Sequence, residues 1–303
     1  MSPQQKAGLL AEALPYIRAY RGKTLVIRFG GNAMADPDLK AGFARDVALL
    51  RLVGMKPIVV HGGGWRVDQL MQQMGIEVRR HHGIRVTDEP TLTVIEMALG
   101  ELNQELAGLI NRHGGRAVGL DGQDGAFIRA RKRTIENGDD GAPDLGFVGD
   151  VEAIDTGLID LLLERNFIPV IMPIGVGADG TAYHINSDLL AGRLARALQA
   201  EKLVLMTNVP GVYGRDGKIA YIVRASELEA LLRDEIVQGG MRPRAHAALQ
   251  AVREGVRSVH IIDGGVPSAL LLEVLTVEGV GTAVRPDSGP HFIDDSRAYL
   301  LAQ

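Results

Sequence analysis

The chain has no cysteine, so disulfide cross-links and thiolate metal sites are excluded. Aromatic residues are scarce at 4%, and the 33 lysines and arginines are outnumbered by 37 aspartates and glutamates. Mixed charge with few aromatics gives no compositional support for a nucleic-acid surface. Long hydrophobic runs are missing as well: nothing reaches the length of a membrane span, and Lys6, Glu12 and Arg18 break up the N-terminus where a signal-peptide core would lie. These absences lead to the expectation of a cytoplasmic protein with no membrane or nucleic-acid partner. Glycine, by contrast, is plentiful at 38 of 303 residues, and 46% hydrophobic residues suffice for one large core or two lobes.

The glycines follow apolar runs. Residues 24–29 (TLVIRF) end in Gly30-Gly31, and residues 56–60 (KPIVV) run into His61-Gly62-Gly63-Gly64. Each reads as a strand feeding a glycine turn. Between them, Leu39, Phe43, Val47 and Leu50 recur at helical spacing over 38–53, behind Asp36-Pro37. A second helix opens at Asp88-Glu89-Pro90, with Asp88 as its cap, and runs to Arg112. Strands are predicted at 117–120 and 167–174 with a helix at 158–165, while the charged, glycine-rich stretch 128–152 reads as turns or a projecting hairpin. The alternation resumes with helices at 187–199, 226–235, 241–254 and 267–274 and strands at 202–206 and 257–262. Such alternation predicts an α/β fold, a three-layer αβα sandwich with a mainly parallel central sheet. Residues 5–20 add an N-terminal helix, bent or restarted at Pro15, whose face of Leu9, Ala13, Ile17 and Tyr20 must cover its own domain or another subunit.

The two early glycine turns would present backbone N–H groups at the carboxyl ends of strands, a setting that suits phosphate or carboxylate oxygens. Gly175, Gly177 and Gly180 spell GxGxxG after a strand and before a helix, but Asp179-Gly180-Thr181 reads equally as a tight turn, and the usual βαβ origin of a dinucleotide site is lacking. The common ATP-binding string GxxxxGK[ST] is absent. Taken singly, Arg85 reads as well as a solvated arginine, Asp188 as a helix cap, His61 as an internal histidine and His184 as a surface one.

The strings RFGGNAM (28–34), VHGGG (60–64), GIRVTDEPTLTVIEMALG (83–100), HINSD (184–188), TNVPGVY (207–213), GGMRPR (239–244) and HIIDGGVPSALLLE (260–273) resemble, in order, those of the N-acetyl-L-glutamate kinases within the amino-acid kinase family. The resemblance implies the amino-acid kinase fold and ATP-dependent phosphorylation of the side-chain carboxylate of N-acetyl-L-glutamate, giving N-acetyl-L-glutamyl 5-phosphate in arginine biosynthesis. The element pattern places a boundary near residues 180–200, and with the roles the resemblance implies the chain divides into an extension helix (1–22), a lobe for acetylglutamate and phosphate (23–190) and a nucleotide lobe (191–303). Positions matching the family's motifs take its roles. Arg28, Arg244 and Asp188 would be catalytic, with Asp188 organising the positive groups. Gly63, Gly64, Arg85, His184 and Asn186 would meet the substrate, Arg85 clamping its α-carboxylate. Gly30, Gly31, Thr207, Asn208, Val209, Gly211, Val212, Tyr213 and Met241 would surround ATP and its phosphates. Magnesium would arrive with ATP, held largely by phosphate oxygens and water, with no metal site in the protein itself.

The chain also departs from the pattern. The family has lysine where Arg28 and Arg244 stand, asparagine at His184 and aspartate at Asn208. Arginine keeps the charge but exchanges a compact ammonium for a planar fork. Beside an active kinase, two readings therefore stay open: an arginine-sensing or regulatory homologue with weak or lost catalysis, and a kinase for another N-acylated amino acid. The string EALPYIRAY (12–20) resembles the extension of arginine-inhibited members, in which paired N-terminal helices join dimers into hexamers. That resemblance implies a homo-oligomer, dimer or hexamer, and L-arginine as a feedback ligand near Glu273, Glu278, Gly279 and Gly281.

Overall fold

The computed structural model of the protein describes residues 2–134, 144–277 and 279–288. The expectations placed on the side chain of Leu9, on Glu278 and on the last residues lie outside what is described. Helix α1 (Pro3–Tyr20) precedes strand β1 (Thr24–Phe29), and α2 (Asn32–Ala35) and α3 (Pro37–Leu52) lead to β2 (Lys56–His61). Helix α4 (Gly64–Gln73), the small strands β3 (Arg80–His81) and β4 (Ile84–Arg85), the long α5 (Glu89–Arg112) and β5 (Ala117–Leu120) follow. Next come β6 (Ile128–Lys132), β7 (Val148–Ile154), α6 (Gly157–Glu164), β8 (Ile168–Ile171), β9 (Ile174–Val176), β10 (Ala182–Ile185) and α7 (Ser187–Ala197). The chain continues through β11 (Lys202–Thr207), β12 (Ile222–Arg224), α8 (Ala225–Arg233), α9 (Met241–Arg253), β13 (Val259–Asp263), α10 (Ala269–Leu275) and β14 (Gly281–Arg285).

Eight strands form one sheet in the order β12-β14-β13-β11-β1-β2-β8-β5. Every neighbouring pair is parallel except β13–β14. Strand periodicity sorts the core into two faces. Val26, Ile58, Val60, Leu203 and Leu205 pack with residues of α6, α7, α8 and α9. Leu25, Ile27, Phe29, Val59, Val204 and Met206 pack with residues of α1, α3, α5 and α10. The fold is thus the expected α/β three-layer sandwich, its central strands covered on both faces and therefore largely apolar, with Arg28, His61, Lys202 and His260 as buried exceptions.

Several local expectations change. The predicted strand 167–174 divides at Met172-Pro173 into β8, in the main sheet, and β9, which leaves it. The GxGxxG string does not open a helix: Gly177 N–H bonds to Thr181 O at 2.8 Å, Gly180 lies at φ 85°, and the chain turns straight into β10. Within the stretch 128–152, β6 and β7 pair antiparallel, and with β9 and β10 they close a four-stranded barrel. Helix α1 runs unbroken through Pro15, which sits on its exposed face, where water can serve the carbonyl that the ring leaves unpaired. Tyr16 and Tyr20 are buried, and Ala13 and Ile17 half-buried, against the core of their own chain.

Candidate active site

The carboxyl ends of the parallel strands meet at one edge. Phe29 pairs with His61 and Thr207 with Asp263, so the glycine turns after β1, β2 and β13 lie side by side. A cavity of about 320 Å³ opens there. Its wall contains Arg28, Gly63, Gly64, Arg85, His184, Asn186, Asp188 and Arg244, all the residues assigned from sequence to catalysis and to the acyl substrate.

Each is positioned by local structure. Arg28 follows the alternation of β1 and shares the face of Val26, towards α7. The cap of α7 is Asn186, whose Oδ1 accepts the N–H groups of Asp188 (2.9 Å) and Leu189 (3.1 Å). Asp188 is thereby free for another role, and its Oδ1 lies 2.7 Å from Arg28 Nε as a largely buried ion pair. Arg244, on the first turn of α9, donates to Gly240 O at 2.6 Å. Burial holds its pKa below the ordinary guanidinium value, Asp188 counteracts, and Arg28 adds to the lowering. One carboxylate thus stands within the field of two guanidinium groups.

Arg85 is buried at 5% exposure rather than solvated. Asp68 Oδ1 lies 2.7 Å from its Nη1, and its Nη2 donates to Gly64 O at 3.3 Å. His184 lines the cavity instead of the outer surface, and loss of hydration, reinforced by Arg85, pushes its pKa down to about 4. It is neutral at physiological pH. His61 is the satisfied internal histidine: Nδ1 bonds to Gly62 O (2.7 Å), Nε2 meets Asn103 Nδ2 (3.1 Å), and burial lowers its pKa to about 4. That arrangement makes Nδ1 the donor and Nε2 the acceptor, fixing the turn that follows. A Cβ at Gly63 would stand 2.6 Å from Leu102 Cδ1 and 2.7 Å from Leu99 Cδ2 of α5, so a larger residue there would force these two leucines to shift.

The residues assigned to the nucleotide do not line this cavity; most follow β11 beside it. Asn208 joins the two groups, its Oδ1 accepting the Asn32 N–H at 2.7 Å across Gly31, whose left-handed φ of 77° suits glycine. Gly30 lies against the Arg28 guanidinium. Thr207 is buried and closes its own turn by accepting the Val209 N–H at 3.0 Å. Val212 N–H bonds to Thr282 Oγ1 at 2.8 Å, where a Cβ on Gly211 would come within 2.6 Å. Tyr213 is 47% exposed, and Met241 opens α9, which carries Arg244. Sequence reading missed Ser187, Arg80 and Arg133 in the cavity wall, and Asp68 behind Arg85. Only Ser187 stood inside a recognised string, HINSD.

A second cavity of about 340 Å³ lies between α3 and the β13–α10 connection. It is largely apolar, is lined by Asp46 and Arg45 among others, and holds none of the residues assigned from sequence to catalysis, substrate or nucleotide. Under α1 lies a buried polar cluster: His260 Nδ1 is 2.6 Å from Glu273 Oε1, Lys202 Nζ is 3.4 Å from His260 Nε2, and Lys202 sits 4.7 Å over the Tyr20 ring. Glu273 Oε2 also accepts the Val280 N–H at 2.7 Å.

The Amino acid kinase family model matches residues 23–263. The acetylglutamate kinase of Chromobacterium violaceum is 55% identical over 282 residues, covering 93% of this chain and 98% of that protein. Among solved structures, N-acetylglutamate synthase from Neisseria gonorrhoeae in complex with coenzyme A and N-acetyl-glutamate superposes with a TM-score of 0.83 at 27% identity, over 97% of this chain and 68% of that one. The same synthase with coenzyme A and L-arginine gives a TM-score of 0.75 at 27% identity, over 92% of this chain and 65% of that one. With the family model spanning both the glycine turns and α9, and with near full-length identity above one half, the chain belongs to the acetylglutamate kinase family of amino acid kinases.

Proposed function

We propose that the protein transfers the γ-phosphoryl group of ATP to the side-chain carboxylate of N-acetyl-L-glutamate. The observation that carries this reading is the convergence of Arg28, Arg85, Arg244 and Asp188 on one cavity beside two glycine turns. A carboxylate oxygen of the substrate attacks the γ-phosphorus, the bond to the β-bridging oxygen breaks, and ADP departs with that electron pair. An acyl phosphate results and no proton moves, so the site needs alignment and positive charge rather than a base. Arg85 clamps the α-carboxylate, Arg28 and Arg244 flank the transferring group, and Asp188 holds both cations in place. The N–H groups of Gly30, Gly31, Gly63 and Gly64 face the anions, and neutral His184 contacts the acyl substrate without competing for its charge. Residues 207–213 with Met241 frame the nucleotide, and magnesium enters bound to its phosphates. In this reading 23–190 forms the acyl-substrate lobe and 191–303 the nucleotide lobe.

The decisive assay is release of ADP by purified protein with magnesium, ATP and a panel of acylated amino acids. Turnover should be highest with N-acetyl-L-glutamate. Preference for a different acyl amino acid would reassign the substrate, and no turnover above the substrate-free control while ATP still binds would overturn the enzyme reading.

The Lys202–His260–Glu273 cluster beneath α1 favours a second, compatible role, binding of L-arginine between α1 and α10, with α1 pairing protomers into a dimer or hexamer. Arginine should lower turnover, and deleting residues 1–22 should both relieve that inhibition and reduce the mass seen by light scattering. Unchanged mass and unchanged inhibition would remove this role.

A further inference from the structure

Arginine at position 28, where the family resemblance implies lysine, suggests a site losing its chemistry. We infer the opposite: Ser187 is a positioning residue that rebuilds this half of the phosphate site around an arginine. The inference rests on the kinase reading above.

Ser187 Oγ accepts from Arg28 Nε at 3.2 Å and from Nη2 at 3.1 Å, so one hydroxyl grips two N–H groups along one edge of the guanidinium. An ammonium has no such edge. Nη1 donates to Met206 O at 3.2 Å within the buried sheet, and Asp188 Oδ1 stands 2.7 Å from Nε. The plane is therefore fixed from two sides, leaving the other N–H of each terminal nitrogen for phosphoryl oxygens. The surroundings also accommodate a fork. A Cβ at Gly30 would lie 2.7 Å from Nη1, and one at Gly62 would lie 3.3 Å from Nη2.

Arg244 differs. Its Nη1 is tied to Gly240 O, while its buried Nε has no hydrogen-bond partner among the described residues. Two arginines in one cavity thus have different preparation: Arg28 is held through all three of its nitrogens before any ligand arrives, and Arg244 through Nη1 with its Nε unpaired among the described residues. Ser187 supplies the hydroxyl that makes the difference, from the first turn of a helix that Asn186 already anchors.

The test is a double-mutant cycle between Ser187→Ala and Arg28→Lys in the full chain, with Ser187→Thr as the hydroxyl-retaining control. Ser187→Ala should lower kcat by about 10- to 100-fold, as expected for a charge misplaced by a fraction of an ångström to an ångström, with KM for the acyl substrate little changed. Ser187→Thr should recover most of that loss. Added to Arg28→Lys, Ser187→Ala should cost about threefold or less, because the edge it served is gone. Equal losses with arginine or lysine at 28, or no loss with arginine, would overturn the inference. Thermal unfolding and ADP binding verify that each variant folds. If the unaltered chain shows no turnover, the kinase reading fails separately. The same cycle is then read from the ratio of affinities for magnesium–AMPPNP and magnesium–ADP, where Ser187→Ala should reduce the AMPPNP preference only when Arg28 is present. Its failure to do so overturns the role of Ser187 independently of activity.

Discussion

Two cavities of nearly equal size, about 320 and 340 Å³, occupy opposite situations in this fold. The first lies at the carboxyl ends of β1 and β2, ringed by arginines and the glycine turn 62–64. The second lies behind α3, with apolar walls and one buried carboxylate, Asp46. Volume does not separate them; preparation for an anion does. In the first, buried charges are placed against one another and the arginines against backbone carbonyls, so a negatively charged ligand would complete the arrangement. In the second, burial raises the pKa of Asp46 to about 6, with Arg45 only partly opposing the shift, so the charge is a burden on folding rather than an instrument.

The two cavities differ most sharply in what their carboxylates, Asp188 and Asp46, do. Asp188→Asn should lower kcat by about 100- to 1000-fold, because Arg28 and Arg244 lose the charge that organises them. Asp46→Asn should leave kcat unchanged in the same ADP-release assay; a comparable loss there would place catalysis in both cavities. The smaller effect is on stability. A carboxyl whose folded pKa is about 6 against an ordinary 3.8 destabilises the fold as pH rises from about 4 to above 6, where the unfolded chain releases the proton first. Asp46→Asn should therefore stabilise the protein by about 2–3 kcal/mol at pH 7.5 and by little at pH 4, measured by denaturant unfolding. Equal effects at both pH values would show that Asp46 is held by partners rather than penalised by burial.

Much of the central sheet is legible in the sequence. TLVIRF and KLVLM are mostly apolar because neighbouring strands and two helical layers enclose them, and that pattern survives in one dimension despite the buried Arg28 and Lys202. The three-residue strands β9 and β12 carry too little periodicity to be seen. Helix α4 begins within a glycine run, which masks its start, and β14 follows another glycine-containing turn. The GxGxxG string misleads because the same glycines serve a tight hairpin equally well. At the site, Ser187 was missed although it stands inside the string HINSD, and Asp68, Arg80 and Arg133, which stand in no string, were missed as well, since an isolated charged residue looks the same whether it faces solvent or a cavity.

The sequence by itself determined the layered α/β class, the glycine turns at the strand ends and the family, because periodicity and ordered motifs are properties of neighbouring residues. Only the tertiary structure decided which charges meet. Arg28 and Ser187 are separated by 159 positions in the chain and joined by two hydrogen bonds of 3.2 and 3.1 Å. Whether an arginine there is a defect or a fitted part depends on that distance, which exists only after the sheet has brought β1 to the first turn of α7.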